Sequence, residues 1–388
     1  MKRKQLIALS LSTMIAGTAV LTACGGTGGA AADTAASGAA SATEETAGGA
    51  ADTAATDSEA STEGEAAADS SAAEGSEANA GSTDNGDAAY EPVTITLNLT
   101  RSGIGEDKEY TFTKMPHAVV ADNDQMANMF FDLGLADRMA GYTEGACVDN
   151  VNTYPGEDTV PQLAEPGINL RDVSKETVLQ TGCDFLVGWD DLFSDANYSV
   201  EFCEQNGISP YFPYVCSDSA TFEDIYKDYE TLGKIFHVEE TAAERIQAMK
   251  DKLEEVKGKI GEEAYSKPIK VFVYDSGEDA PFTACQGMPG DILKLAGAES
   301  IFSDIEKGWA TPAWEEVVAR DPDAILILDY NKETPEKEEF LKTNAFTKDL
   351  RAVKEGKIYS ASCSDMQGSA GSAGLVEIIA KQLYPDKF

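Results

Sequence analysis

The 388-residue chain has two histidines, His117 and His237, far apart in the sequence. A bare zinc site normally draws on several His and carboxylate ligands, so this scarcity argues against one. The Gly-x-Ser-x-Gly elbow of many hydrolases is absent, although counting alone leaves a Ser-His-Asp triad open. The small-residue stretch Ser369-Ala-Gly-Ser-Ala-Gly374 has no Lys, so it is not a phosphate loop. Positive charge is scarce: 30 Lys and Arg stand against 68 Asp and Glu, a formal net charge of -38. That balance excludes nucleic acid as a partner, because binding polyphosphate needs clustered bases. It says little about a pocket, since net charge is a surface property. There is no close cysteine pair such as Cys-x-x-Cys. Cys147, Cys183, Cys203, Cys216, Cys285 and Cys363 would pair in any of fifteen ways, or stay reduced. Cys183 lies beside a core strand, where a free thiol packs well. Hydrophobic residues make up 42%, enough for a sizeable core.

The N-terminus reads as an address. Lys2, Arg3 and Lys4 precede an apolar stretch from Leu6 to Leu21, as in an export signal. The stretch is too short and too broken by Ser and Thr for a stable membrane span. Leu21-Thr22-Ala23-Cys24 resembles the bacterial lipobox, which implies a signal peptide over 1–23 and lipidation of Cys24. Acyl chains at that point would anchor the protein to the membrane. Residues 25–90 hold 13 Asp and Glu, no Lys or Arg, and no apolar residue larger than Ala before Tyr90. Such a segment cannot bury enough surface to offset its ordering entropy. We expect a disordered acidic tether over 24–90, extended by self-repulsion. Residues 91–388 then carry 55 acids and 27 bases.

The body is organised around the run from Thr221 to Ile260. Phe222, Ile225, Tyr226, Tyr229, Leu232, Ile235 and Phe236 recur at helical spacing, as do Ala242, Ile246, Met249, Leu253, Val256 and Ile260. Thr221 caps the first helix, and Thr241 with Glu244 makes a capping box for the second. Gly258, Gly261 and Pro268 end the pattern. On both sides short apolar runs alternate with helical patterns: Ala118–Ala121, Phe185–Gly188 and Ile208–Phe212 before it, Ile269–Tyr274, Ala324–Leu328 and Ile358–Ser360 after. This predicts an α/β fold with mainly parallel sheets. The expected organisation is an N-terminal α/β lobe over 91–220, spine helices over 221–260 and a C-terminal α/β lobe over 261–388. A single α/β domain with one surface helix pair fits the pattern equally.

A weak internal repeat supports two lobes. Residues 175–187 align without gaps on 314–326, matching Glu176 with Glu315, Val178 with Val317 and Asp184 with Asp323. Further pieces, in order, are Pro116–Ala121, Asp132–Tyr142 (DLGLADRMAGY), Asn206–Ser209, Leu232–Phe236, Gly290–Ala298 (GDILKLAGA), Arg320–Leu326 and Ala352–Tyr359. Together they make the body resemble the substrate-binding lipoproteins of ABC importers for iron chelates, haem and cobalamin, the class III periplasmic binding proteins. The resemblance implies two Rossmann-like lobes on a rigid helical spine and a ligand in the cleft between them. It also implies an extracytoplasmic, membrane-anchored module without a cofactor, and docking of Glu176 and Glu315 onto an ABC permease. Charge pairing there would set orientation and on-rate more than affinity.

In open α/β sheets ligands lie beyond the carboxyl ends of the strands. That rule selects Asp122, Asn123, Tyr142, Trp189, Asp190 and Tyr214 in the first lobe. In the second it selects Tyr274, Phe282, Met288, Trp309, Tyr330 and the Ser362–Gln367 turn with Asp365. Aromatic rings with a few polar groups suit a small-molecule metal chelate or a tetrapyrrole. Few bases lie near those strand ends, which argues against an anionic siderophore and leaves haem, cobalamin or a neutral chelate open. The alternative is a surface enzyme or chelatase acting on a tetrapyrrole; turnover, rather than one-to-one capture, separates the two.

Overall fold

The computed structural model describes residues 90–97, 99–100, 105–148, 152–330 and 332–388. The expected signal peptide, the Cys24 lipidation site and the expected tether up to residue 89 lie outside the described residues. Tyr90 already belongs to the body: its ring stacks on His237 at 4.9 Å and its hydroxyl donates to the Ile235 carbonyl.

The strands are β1 (Val93–Leu97), β2 (Lys108–Phe112), β3 (Val119–Ala121), β4 (Met139–Tyr142), β5 (Phe185–Val187) and β6 (Ser209–Tyr211), then β7 (Ile269–Tyr274), β8 (Thr283–Ala284), β9 (Ala298–Ser300), β10 (Trp309–Ala310), β11 (Ala324–Asp329) and β12 (Ile358–Ser362). The helices are α1 (Asn123–Asp132), α2 (Lys175–Gln180), α3 (Val200–Gln205), α4 (Phe222–Phe236), α5 (Glu239–Ile260) and α6 (Glu262–Ser266), then α7 (Gly287–Leu295), α8 (Trp314–Arg320), α9 (Thr334–Thr343), α10 (Arg351–Lys354), α11 (Cys363–Met366) and α12 (Ser372–Leu383).

Two four-stranded parallel sheets result, ordered β4-β3-β5-β6 and β12-β11-β7-β9. Their central strands are nearly unbroken apolar runs, as strands covered on both faces must be: every residue of β3 and β5 is buried, and so are the first five of β11. β1 and β2 form an antiparallel hairpin, and β8 and β10 pair antiparallel over two residues. The α/β fold with two mainly parallel lobes is what the sequence predicts.

Helices α4 and α5 come between the two sheets in the chain. A capping box of Thr221 and Asp224 opens α4, which ends at His237 in the left-handed region at φ 54°. The second capping box is not formed. The turn at His237 lets the Ala242 N–H reach the Val238 carbonyl at 2.9 Å, so α5 starts at Glu239, ahead of Thr241. Gly233 is what permits so tight a return: a Cβ there would stand 2.9 Å from the Ala242 Cβ.

Both helices carry contacts to the lobes, and Arg245 of α5 reaches the Asp132 carbonyl of the first lobe at 3.0 Å. From α4, Phe236 meets Phe130 and Phe185 of the first lobe edge-on at 5.6 and 5.4 Å, and Tyr229 donates to the Asp132 carboxylate at 2.8 Å. From α5, Lys252 pairs with Glu377 of α12 at 2.9 Å. Where α5 ends, Gly297 leaves room for Ile260; a Cβ would crowd the Ile260 Cδ1 to 2.9 Å.

Candidate functional site at the strand ends

The loops leaving β5 and β6 meet α7 and the β10 segment around a cavity of about 220 Å3. Trp189 and Asp190 line it from the first lobe. Val215 to Asp218 follow β6, while Met288, Pro289, Gly308, Trp309 and Gln367 close it from the second lobe. Thus four of the residues selected from sequence (Trp189, Asp190, Met288 and Trp309) share one cavity although the chain separates them widely. A larger hollow of about 610 Å3 is lined by Pro268, Gly297, Ala298 and Lys294. It runs along α7 from Gly287 to Lys294, with Ser219, Thr221 and all of β9 in its wall, and none of the residues selected from sequence lines it.

The cavity walls are held from both lobes. Trp189 Nε1 donates to Gln125 Oε1 at 3.1 Å, and Gln125 Nε2 donates to the carbonyls of Gln367 and Gly368 at 2.9 and 3.0 Å. Gln125 is therefore a buried polar bridge with its amide satisfied across the interface. Asp218 is pressed by backbone: a Cβ at Gly287, which sits at φ +64°, would fall 2.2 Å from the Asp218 carbonyl. Only glycine fits that conformation and that approach. Trp309 is stacked on Phe282 at 5.3 Å, and Phe282 itself is 37% exposed.

A disulfide, Cys147–Cys363, joins the loop beyond β4 to the start of α11, with a Cα–Cα distance of 5.3 Å. Gln367 Nε2 lies 3.0 Å from the Cys147 sulfur, beside the cavity. Cys183, Cys203, Cys216 and Cys285 are buried, and burial pushes the Cys183 and Cys203 thiols up to about 12. Nearby, the Val148 N–H donates to the Tyr330 carbonyl.

The other selected residues are placed differently. Asp122 is buried, its carboxylate accepting the Leu170 N–H at 2.8 Å; burial raises it to about 6. Asn123 stands at φ 68° and its Oδ1 accepts the Met126 N–H, so it shapes the first turn of α1. Tyr142 packs edge-on against Phe131 at 5.6 Å, and Tyr274 stacks on Phe340 at 5.8 Å; both are core side chains. Tyr214 lies beneath Lys227, 5.8 Å from the ring centroid, and its N–H donates to Asp228. Tyr330 donates to Asp275 at 2.8 Å under the Lys337 ammonium. Asp365 is buried and accepts from Asn152 Nδ2 and Ser369 Oγ. Glu176 and Glu315 are exposed, each in the first turn of its helix.

Sequence reasoning missed Gln125 and the Val215–Asp218 loop. Gln125 lies in the first turn of α1, just past a strand end, and that was its available signal. Nothing local marked the loop.

Comparison with known proteins agrees with this geometry. A profile of the periplasmic binding protein family matches residues 205–362. A substrate-binding lipoprotein of an ABC transporter from Bacillus subtilis (strain 168) is 23% identical over 286 residues, which is 73% of this chain and 84% of that protein. A vitamin B12-binding protein from Pectobacterium atrosepticum is 26% identical over 225 residues, 55% of this chain and 72% of its own length. The crystal structure of a periplasmic binding protein from Veillonella parvula superposes with a TM-score of 0.68 at 27% identity, covering 77% of this chain and all of the other. Two parallel-sheet lobes with a cavity at the strand ends define a solute-binding fold. Over residues 205–362 the chain matches the periplasmic binding protein family, and it is similar along most of its length to substrate-binding proteins of that kind. The family is one of solute-binding proteins rather than enzymes.

Proposed function

We propose that this protein captures an iron chelate, haem or a cobalamin-type ligand between its lobes and hands it to the permease of an ABC importer at the outer face of the cell membrane. The observation that carries the reading is the shared cavity, with Trp189 and Asp190 from one lobe facing Met288 and Trp309 from the other. Its volume of about 220 Å3 is below the roughly 300–1,000 Å3 of pockets that enclose a whole drug-sized ligand. A chelate therefore enters in part, or the lobes part to admit it.

Lipidation at Cys24 supplies the anchor and residues 25–90 the reach; loss of membrane retention in Cys24→Ser tests this arm. Glu176 and Glu315 are the contacts offered to the permease, one per lobe. The capture test is titration of the purified protein with cyanocobalamin, haemin and a ferric trihydroxamate. Two of the three tryptophans line the cavity, so emission is quenched by a true ligand. No quenching by any of the three would contradict the reading.

A further inference from the structure

The charge and surface of this cavity define the kind of ligand more closely, and this step rests on the capture reading above. Two carboxylates, Asp190 and Asp218, line it together with the indoles of Trp189 and Trp309. Among the described residues, neither Lys nor Arg lines it. The bases in the neighbourhood are already engaged or turned to solvent. Arg171 is ion-paired to Asp191, next to Asp190. Lys227 is held by Asp224 at 2.8 Å. Lys307, adjacent to Gly308, is exposed. The Asp190 carboxylate accepts the Asp191 N–H at 2.8 Å, which fixes one oxygen. The stack of Phe282 on Trp309 fixes one indole.

Aromatic faces beside carboxylates are the chemistry that holds a cation: ring quadrupoles attract it, and half-buried Asp190 and exposed Asp218 offset its charge. The same site opposes an anion, which would bring a third negative charge against two carboxylates that, among the described residues, no Lys or Arg joins in the lining. We infer that the cavity receives a positively charged group of the ligand, an ammonium or the cationic face of a metal complex, set against Asp190 and Asp218 between Trp189 and Trp309. Chelates that present an anionic face, haem with its two propionates included, are turned away.

The test uses two charge series on the purified full-length protein. One is a ferric trihydroxamate with a pendant primary ammonium, its N-acetylated neutral form and its N-succinylated anionic form. The other is a cationic aqua-corrinoid, the neutral cyano-corrinoid and a corrinoid with one side-chain amide hydrolysed to carboxylate. In whichever series binds, the dissociation constant should rise from cation to neutral to anion by about tenfold or more across the series, less so at high salt. Asp190→Asn and Asp218→Asn should compress that spread, with melting temperatures close to the parent. The spread in the parent protein alone decides the matter if a variant fails to fold. Binding without regard to charge, or better binding of the anion, overturns this inference and leaves the capture reading standing. Binding of no member of either series removes the capture reading and this inference with it.

Discussion

Residues 175–187 of the first lobe and 314–326 of the second make the same helix, turn and strand from different material. In the first, the Asp184 carboxylate accepts the N–H groups of His117 and Ala118 just before β3, at 3.0 and 2.9 Å. In the second, the Asp323 carboxylate accepts the N–H of Lys270 at the head of β7, at 3.0 Å. The backbones repeat the match: Asp184 N donates to the Ala118 carbonyl and Asp323 N to that of Lys270. Each Asp thus sets the register of its strand against the central strand beside it. The rest diverges. α2 is capped by the Ser174 side chain, whereas α8 has no side-chain cap and buries Trp314 instead. β5 has three residues and β11 six. Beside the longer strand the second lobe carries its own aromatic cluster of Phe272, Tyr274 and Trp314 with Phe340 packed against it. The lesson is that the repeat keeps what strand pairing demands and lets the cover of each sheet vary.

Glu176 and Glu315 are the test of whether function follows the same symmetry. Reversing both charges (Glu176→Arg with Glu315→Arg) should abolish uptake in cells while ligand affinity of the purified protein stays unchanged. If the lobes dock as equals, the two single variants should lose comparable amounts of uptake; one silent variant would break the equivalence. The next largest effect concerns the covalent link. Cys147 and Cys363 are 216 residues apart, and closing a loop of that length stabilises by on the order of 5 kcal/mol in the chain-entropy account. Reductant, or Cys147→Ser with Cys363→Ser, should lower the melting temperature and separate the unfolding of the two lobes. A single unshifted calorimetric transition under reductant would contradict this.

The loop after β6 is tied by a buried acid. Asp228 on α4 accepts from the Tyr211 hydroxyl at 2.7 Å and from the N–H groups of Tyr214 and Val215 at 2.8 and 3.1 Å. Burial nonetheless raises it from 3.8 to about 7, the donors acting in the opposite sense. A raised carboxyl favours the folded state while it is protonated. Its contribution is complete below about pH 4 and is lost as pH rises to about 7, amounting to no more than about 4 kcal/mol. Asp122, raised to about 6, acts in the same direction. Urea midpoints from pH 4 to 7 should fall, and Asp228→Asn should flatten the slope; a rise over that window would refute the assignment. The smallest effects belong to the register acids. Asp184→Ala leaves two backbone N–H groups without their acceptor and should cost about 2 kcal/mol; Asp323→Ala leaves one backbone N–H and the exposed Arg351 guanidinium without theirs and should cost about 1 kcal/mol. Denaturant midpoints with unchanged slopes would measure both.

Much of this architecture was legible in the chain. The runs that became β3, β5, β7 and β11 are apolar because both faces are covered, and the pattern of α4 and α5 is plain helical spacing. The start of α5 was not, because a left-handed residue at His237 decides it and no side-chain cap marks it. The strand-end rule found four cavity residues but also drew in Tyr142, Tyr274 and Asp365. A position at a strand end does not say which face the side chain takes, and these three turn into the packing. The disulfide was one of fifteen pairings, chosen only when the fold brings the loop beyond β4 to α11. Gln125 was hidden for a related reason: its partners, Gln367 and Gly368, come from the other lobe.

The central claim, that a solute is gripped where the two lobes meet, is tested most directly by tryptophan emission during titration with the ligand series. Trp314→Phe removes the one indole buried in the second lobe's aromatic cluster and leaves both cavity indoles. It should keep the full fractional quench, and Trp189→Phe with Trp309→Phe should lose it. A quench that survives the double variant and disappears with Trp314 would place the ligand elsewhere and contradict the account.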